Sequence, residues 1–214
     1  NLDPTLVEKA ISEKTKAVFA VNLLGNPCDY DQLKSICSEN NLLLIEDNCE
    51  ALGAKYKGQL TGTIGLAGTF SMFYSHHICS MEGGVVVTND SMLYEYMLSI
   101  RAHGWTRNLT PGSAIYEKNE DPFYEKYNFI MPGYNLRPLE IEAAIGIEQI
   151  DKIESIIANR RSNADYFLSE IKKTLSFRTQ NEVGESSWFG FPMILERTDL
   201  SRDKIVTYLE NRGI

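Results

Sequence analysis

The alternation of short apolar runs with a helical segment constrains the fold of this chain most strongly. Residues 16–22 (KAVFAVN) and 42–46 (LLLIE) each have the length of one buried strand, and a capped helix is predicted between them over residues 29–38. Strands joined through a helix run parallel, because the crossover returns the chain to the same end of the sheet. A third apolar strand is predicted at residues 85–88. The sequence therefore predicts an α/β fold with a mainly parallel sheet covered by helices on both faces.

Both ends of the chain carry helix signals. Asp3 and Pro4 are typical of a helix start, and an apolar face follows at Leu6, Val7, Ala10 and Ile11. Asn211 and Gly213 are typical of a helix C-cap, so Ile214 is interpreted as the first residue of a further element. We therefore expect the sequence to be an internal fragment, and the functional hypotheses apply to its longer parent protein.

A long amphipathic helix is predicted over residues 137–161, because isoleucine and alanine recur there at helical spacing. Helices of this length often link a large domain to a smaller one. We predict that residues 1–158 form the C-terminal part of a large domain and that residues 159–214 begin a small α/β domain. Residues 186–195 (SSWFGFPMIL) are predicted to form a strand of that second unit.

Charge and cysteine content exclude several classes of protein. The formal net charge of −8 argues against a nucleic-acid-binding surface. The four cysteines form no C-x-x-C motif, which predicts free thiols in a cytoplasmic protein rather than a disulfide framework or a zinc ribbon. No run of 18 apolar residues is present, so no membrane association is expected.

Two adjacent histidines, His76 and His77, lie between an apolar segment and a Glu-Gly-Gly sequence that opens a predicted strand. Taken alone, such a pair is more typical of a hydrogen-bonded turn than of a catalytic centre. A metal site is a further alternative, but only Cys79 and the distant His103 could complete the ligand set. We therefore expect no metal, and the residues by themselves leave the role of the pair open.

Three segments resemble signature blocks of a known family. They are EDNCEALGAKYKG (46–58), TFSMFYSHHICSMEGGVVVTND (69–90) and GYNLRPLEIEAAIG (133–146), and they resemble the DegT/DnrJ/EryC1/StrS sugar aminotransferase family over essentially the whole chain. The resemblance implies an aspartate aminotransferase-like fold (fold type I), with the cofactor pyridoxal 5'-phosphate held by the large domain. In most members a lysine of the middle block forms a Schiff base with this cofactor. His76 occupies that lysine position here.

The resemblance gives the histidine a specific role. An imidazole cannot form a Schiff base, so the pyridoxamine 5'-phosphate form would keep a free amine. Family branches with this histidine resemble 3-dehydratases of nucleotide-linked 4-keto-6-deoxyhexoses, in which the cofactor amine condenses with the C4 ketone of the sugar. His76 would then remove a proton from the C4′ carbon of the cofactor, and the C3 hydroxyl would leave. Histidine suits this acid/base role because its ordinary pKa lies near neutrality, and His77 is assigned a supporting role.

The same resemblance implies the cofactor contacts. Asp47, directly after LLLIE, would pair with the pyridine nitrogen, and a helix N-cap is the alternative interpretation. Glu50 would contact the ring region, unless it is a solvated helix carboxylate. Ser71 would help hold the cofactor phosphate. Asn135 would reach the phosphate in the neighbouring subunit, which implies a homodimer with a shared active site; the alternative is an asparagine in a turn before a helix.

Substrate contacts are predicted in residues 101–108 (RAHGWTRN), where His103 and Arg107 could reach a sugar hydroxyl or the diphosphate. A solvated basic loop is the alternative. One dehydratase branch carries an iron–sulfur cluster, which needs cysteines downstream of the histidine motif, and no cysteine follows Cys79. The chain therefore resembles the cluster-free branch, which acts on a GDP-linked sugar in colitose biosynthesis and regenerates the amine from L-glutamate.

Four alternatives stay open at this point. An ordinary sugar aminotransferase would need a lysine within residues 69–84, and none is present. A family member without catalysis and a dehydratase of the CDP-linked type are two others. The fourth is a metal-dependent hydrolase that uses His76, His77 and Cys79.

Overall fold

The computed structural model describes residues 1–171, 173 and 176–214. Its strands are β1 (Ala17–Val21), β2 (Leu43–Asp47), β3 (Lys55–Tyr56), β4 (Gln59–Leu60), β5 (Ala67–Ser71), β6 (Gly84–Thr88), β7 (Phe177–Arg178) and β8 (Ile194–Leu195). Its helices are α1 (Pro4–Ala10), α2 (Tyr30–Glu39), α3 (Ser91–Ile100), α4 (Pro122–Lys126), α5 (Glu140–Ile150), α6 (Ile153–Ile171) and α7 (Arg202–Glu210), and a 3₁₀ turn spans Leu23–Gly25.

The main sheet has the strand order β1-β2-β5-β6. Strands β1, β2 and β5 are parallel, whereas β6 runs antiparallel to β5. The predicted α/β fold with a mainly parallel sheet is thus confirmed. The histidine pair lies in the connection between β5 and β6, and that connection therefore starts at the carboxyl end of a parallel strand.

One face of this sheet carries the core. Val18 and Ala20 of β1 and Leu44 of β2 point to that face and are buried together with Leu33 of α2. The residues that alternate with them are exposed or half-buried, with Phe19 52% exposed. Helices α1 and α2 cover this face, and the predicted α/β fold with a sheet flanked by helices is confirmed.

The helix ends match the sequence signals. Asp3 caps α1 by accepting a hydrogen bond from the backbone of Thr5, and Asp29 caps α2 by accepting one from the backbone of Gln32. At the other end, Asn211 is the C-cap of α7 and Gly213 has a φ of 79°. These predictions are confirmed.

The predicted helix over residues 137–161 is two helices, α5 and α6, with a break at residues 151–152. The break separates two different environments. Ile141, Ile147 and Ile150 of α5 are exposed, whereas Ile157 of α6 is buried against Gly53. Helix α6 also runs through the predicted domain boundary at residues 158–159, which stays a prediction.

The strand predicted at residues 186–195 is wrong for most of its length, because only β8 forms and pairs with β7. The backbone that precedes β8 forms hydrogen bonds with the 3₁₀ turn instead of with a strand. The N–H groups of Ser187 and Phe189 donate to the carbonyls of Gly25 and Leu24. Trp188 has a φ of 50°, which interrupts an extended strand.

None of the helices in the described part of the chain is both long and apolar enough to cross a membrane.

Candidate active site

The carboxyl ends of β1, β2 and β5 meet at one edge of the sheet, and Asp47 and Ser71 are the last residues of β2 and β5. Ligands of open parallel sheets bind at such an edge. The structure therefore brings two predicted cofactor residues to the edge that also carries the histidine connection.

Asp47 is half-buried and accepts a hydrogen bond from the backbone of Cys49 at 3.0 Å, while Thr69 Oγ1 lies 3.5 Å away. The bond to Cys49 forms a local Asx turn. No α-helix follows Asp47 in residues 48–54, so the alternative of a helix N-cap is wrong. The Asp47 carboxylate keeps acceptor capacity for a further donor.

Glu50 is tied to the 3₁₀ turn. Its Oε2 accepts a hydrogen bond from the backbone N–H of Leu24 at 2.8 Å. Because Glu50 is half-buried and outside any helix, the alternative of a solvated helix carboxylate is wrong. This hydrogen bond gives Glu50 a structural role near Asp47. The predicted contact of Glu50 with the cofactor ring stays a prediction.

Glu46 is a buried residue of this edge that the sequence interpretation missed. Its carboxylate is 0% exposed and accepts backbone hydrogen bonds from Gly62, Ile64 and Gly65, each at 2.6 Å. These three bonds compensate the burial of a carboxylate. The signal in the sequence was an acidic residue at an inward position of an otherwise apolar strand.

A buried amide network lies behind Asp47. Asn22 donates to Tyr30 and to Asn48, at 2.6 and 2.7 Å, and its Oδ1 accepts from the backbone of Cys28. Asn48 Nδ2 is buried and has no protein partner among the described residues. The network holds Asn48, the residue that directly follows Asp47.

The histidines occupy the connection between β5 and β6, residues 72–83, which we call the histidine turn. Its base is closed by two backbone hydrogen bonds, from Met72 to Gly83 and from Ser80 to Met72. Ser71 Oγ accepts from the backbone N–H of Phe73 at 3.2 Å, and the N–H of His76 donates to the carbonyl of Phe73. The hydroxyl of Ser71 thus starts the turn and stays free to donate to a ligand.

The two imidazoles have different environments. His76 is half-buried, its Nδ1 is buried without a hydrogen-bond partner in the described structure, and its ring contacts Phe73 and Phe189 edge-on. His77 is 4% exposed, and neither of its ring nitrogens has a hydrogen-bond partner there. Burial and the nearby Arg160 cation lower the pKa of His77 to about 4. His77 is therefore neutral at physiological pH, and His76 is the imidazole that a ligand can reach.

The remaining predicted residues lie in residues 101–136, which we call the distal segment. A backbone bridge joins Ala102 to Asn135, and the N–H of His103 donates to the carbonyl of Tyr134, so His103 and Asn135 are neighbours. Asn135, His103 and Arg107 are exposed. In the described residues, no hydrogen bond, ion pair or aromatic contact joins this segment to the histidine turn. The structure thus divides the predicted site residues into two groups.

The polar side chains at the sheet edge fit pyridoxal 5'-phosphate. A half-buried carboxylate, Asp47, can face a pyridinium nitrogen, and the Ser71 hydroxyl can face a phosphate. No lysine lies within residues 69–84, so the turn offers no amine for a covalent link. Among the residues described, no group of three His, Cys, Asp or Glu could hold a metal ion, and the hydrolase alternative has no ligand set there.

Comparisons with known proteins extend this geometry. A profile of the DegT/DnrJ/EryC1/StrS aminotransferase family matches residues 1–214. The GDP-4-keto-6-deoxy-D-mannose 3-dehydratase of Yersinia pseudotuberculosis is 50% identical over 216 residues, which cover 100% of this chain and 55% of that protein.

Two solved structures share the fold. The Escherichia coli GDP-4-keto-6-deoxy-D-mannose-3-dehydratase with bound hydrated PLP matches with a TM-score of 0.95 and 47% identity, over 100% of this chain and 56% of that one. A GDP-4-keto-6-deoxymannose-3-dehydratase with a trapped PLP-glutamate geminal diamine matches with a TM-score of 0.95 and 46% identity, again over 100% and 56%. The chain therefore spans just over half the length of these relatives, and the fold class implied by the resemblance is confirmed.

Proposed function

The chain belongs to the DegT/DnrJ/EryC1/StrS aminotransferase family, and from this premise we propose that its parent protein is a 3-dehydratase of a nucleotide-linked 4-keto-6-deoxyhexose. The proposed cofactor is pyridoxal 5'-phosphate, working in its pyridoxamine 5'-phosphate form. The names of the similar proteins support GDP as the nucleotide. L-Glutamate is the proposed amine donor, because a similar structure holds a PLP–glutamate adduct.

The observation that carries this proposal is the position of His76. It lies in the turn that follows β5, at the edge where Asp47 ends β2, and the family resemblance places it where ordinary members carry the Schiff-base lysine. A histidine there can transfer protons but cannot bind the cofactor covalently. This property favours dehydration over ordinary transamination.

When bound, the cofactor supplies an amine and an electron-accepting ring. His76 would take a proton from the C4′ position and return it, and Nε2 would be the nitrogen that does so because Nδ1 is buried. Asp47 would accept a hydrogen bond from the protonated pyridine nitrogen, and the Ser71 hydroxyl would donate a hydrogen bond to the phosphate. Glu50 holds the Leu24 turn beside the ring region.

The distal segment is proposed to serve the active site of a second copy. Asn135 is exposed and has no contact with the histidine turn of its own chain among the described residues. A homodimer would bring Asn135 to the partner's cofactor phosphate, and His103 and Arg107 to the sugar or its diphosphate. We further propose that the parent protein works in the cytoplasm, in a deoxysugar pathway such as that of colitose for lipopolysaccharide O-antigen.

Absorption spectroscopy of the parent protein with added cofactor tests the assignment. Glutamate should move the absorption band from the aldehyde to the amine form, and mass analysis should then detect a 3-deoxy product from the GDP-linked 4-keto sugar. Borohydride should leave no stable cofactor adduct on the protein. A family member without catalysis would show neither the glutamate-dependent change nor the product.

A further inference from the structure

The aromatic ring of Phe189 contacts both histidines. Its centroid lies 5.4 Å from that of His76, with an interplanar angle of 72°, and 5.5 Å from that of His77, at 44°. The ring of Phe73 lies 5.8 Å from His76 at 65°. These distances are typical of aromatic pairs that fix ring orientation. Phe189 is therefore a neighbour of the reactive imidazole, although it is 113 positions away from it.

Aromatic packing replaces a hydrogen bond in this arrangement. A working imidazole is usually oriented by a hydrogen bond from its second ring nitrogen. Nδ1 of His76 is buried and makes no such bond in the described part of the chain. The ring plane of His76 is consequently set by its contacts with Phe73 and Phe189.

Phe189 is itself held on several sides. Its N–H donates to the carbonyl of Leu24 at 3.1 Å, and its carbonyl accepts from Arg160 Nη1 at 2.6 Å. The Arg160 guanidinium also lies 5.2 Å from the centroid of the Phe189 ring. Next to it on α6, Arg161 donates to the carbonyls of Ser186 and Gly53. Both arginines thus bind backbone carbonyls of residues 186–189, and Arg161 also binds the carbonyl of Gly53.

Gly25 permits the close approach of residues 187–188 to the 3₁₀ turn. A Cβ added to Gly25 would lie 2.6 Å from Ser187 Oγ and 2.9 Å from the backbone nitrogen of Trp188. Gly25 also has a φ of 86°, a conformation that other residues adopt at a cost. The 3₁₀ turn and residues 186–189 therefore form one fixed support for the Phe189 ring.

We propose that Phe189, fixed by Arg160, is the positioning residue that orients the His76 imidazole for proton transfer. The proposal rests on the dehydratase function proposed for the parent protein, and it adds a residue from the second predicted domain to the site. Phe189 acts through His76 and does not itself transfer a proton. The neutral state of His77 supports this arrangement, because a second cation beside Arg160 would weaken the packing around the ring.

Phe191 offers a matched control. It belongs to the same segment and is also half-buried, but its ring contacts Trp188 at 5.3 Å and Phe167 at 5.0 Å instead of the histidines. Phe189→Leu removes the ring beside His76, Phe189→Tyr keeps it, and Phe191→Leu removes a ring elsewhere. The three variants separate orientation of His76 from general packing.

The test uses the imidazole NMR signals of the parent protein, with the His76 signal identified by its loss in His76→Asn. Phe189→Leu should shift the His76 signal, because the ring current of Phe189 is lost, and should lower kcat by ~10-fold or more with little change in KM. Phe189→Tyr should restore both values. Phe191→Leu should leave the His76 signal in place.

Two results would overturn the proposal. One is an unchanged His76 signal and kcat in Phe189→Leu, and the other is an equal effect of Phe191→Leu. Should Phe189→Leu not fold, Arg160→Lys repeats the test, since lysine keeps the charge but not the planar fork that reaches the carbonyls of Trp188 and Phe189. If the wild-type protein shows no dehydration, the proposed function fails, while the NMR comparison still decides whether Phe189 orients His76.

Discussion

The histidine turn and the distal segment both carry predicted site residues, but they are held in different ways. The turn is supported by residues distant in sequence, because Phe189 packs on both of its histidines and Arg160 fixes Phe189. The distal segment is held by hydrogen bonds among its own residues and to residues of α3, such as those between Thr106 and Asn128 and between Tyr134 and Ile100. One region is therefore organised by the fold, and the other is a local unit on the surface.

This difference indicates how each region can contribute to function. A turn whose half-buried imidazole packs between two aromatic rings suits proton transfer, because that reaction depends on geometry to within about an ångström. An exposed segment with a free asparagine and two cationic or ionisable side chains suits contacts with a diphosphate or with a second copy. Paired variants, one in each region, test whether the two regions contribute in these different ways.

The largest effect is expected for His76→Lys in the histidine turn. A lysine amine can bond to the cofactor aldehyde, so dehydration should fall by about 10²–10⁴-fold, the usual contribution of a general acid/base. Some C4 amination should appear with glutamate as donor, and mass analysis would detect an amino sugar that keeps its C3 oxygen. The control, His103→Lys in the distal segment, should change the rate but not the product. A His76→Lys protein that yields the 3-deoxy product at the wild-type rate would move the acid/base role to a neighbour such as His77.

The second effect is a loss of stability at low pH that the buried His77 should cause. The pKa of His77 is lowered to about 4 in the folded protein, below its value near 6.5 in the unfolded chain. The unfolded state therefore binds more protons between these values, and stability is lost as pH falls from about 6.5 to about 4. The loss from this group should approach ~3 kcal/mol.

Urea unfolding at several pH values measures this dependence. His77→Asn should flatten the curve between pH 6.5 and 4, because no group at position 77 would titrate. His103→Gln, in the distal segment, is the control and should keep the wild-type slope. An unchanged slope in His77→Asn would show that His77 is not buried as a neutral ring.

Two carboxylates give a third comparison, since each accepts three hydrogen bonds. Glu46 is buried and binds three backbone N–H groups, whereas Glu125 lies in the distal segment and binds Tyr116, Asn119 and Thr106. In Glu46→Gln the amide NH₂ would face a backbone N–H, so the free energy of unfolding should fall by about 2 kcal/mol.

Glu125→Gln should have the smaller effect, because solvent screens the half-buried Glu125 carboxylate more than the fully buried Glu46 carboxylate. The Tyr116 hydroxyl is the main cause that lowers the pKa of Glu125, so the stability that the bond contributes is present near neutrality and is lost as pH falls through the folded pKa. Midpoints of urea unfolding at neutral pH compare the two variants. Equal losses would mean that burial does not distinguish the two regions.

The sequence predicts some elements of the fold and of the site, and particular residues show why it misses the others. The apolar runs and caps predicted β1, β2, α2 and the ends of the chain, because their signals are local. The packing of Phe189 on the histidines could not be predicted, since it depends on Arg160 and on Gly25, which lie far from Phe189 in sequence. The same reason explains why the strand predicted at residues 186–195 forms only at residues 194–195: the apolar pattern is visible in the sequence, but the hydrogen-bond partners of the backbone are not. The histidine pair is visible in the sequence, but the role of His76 is predicted only through the resemblance of the chain to a family whose members carry lysine there.

The smallest effect on stability is expected for Arg107→Lys in the distal segment. The Arg107 guanidinium lies 5.1 Å from the ring centroid of Trp105, and Trp105 stacks on Phe129 at 5.6 Å. An exposed cation–π contact is worth about 0.5–1 kcal/mol, and lysine keeps part of it. The unfolding midpoint should therefore change very little, as it should in the control Arg202→Lys on α7. If Arg107 holds the diphosphate, however, loss of the planar fork should raise KM for the GDP-linked sugar with kcat nearly unchanged, because binding is weakened equally in the ground and transition states. Arg202→Lys should leave KM as in the wild type. A KM that does not change in Arg107→Lys would favour a solvated basic loop around Arg107 and would leave His103 as the substrate contact proposed for the distal segment.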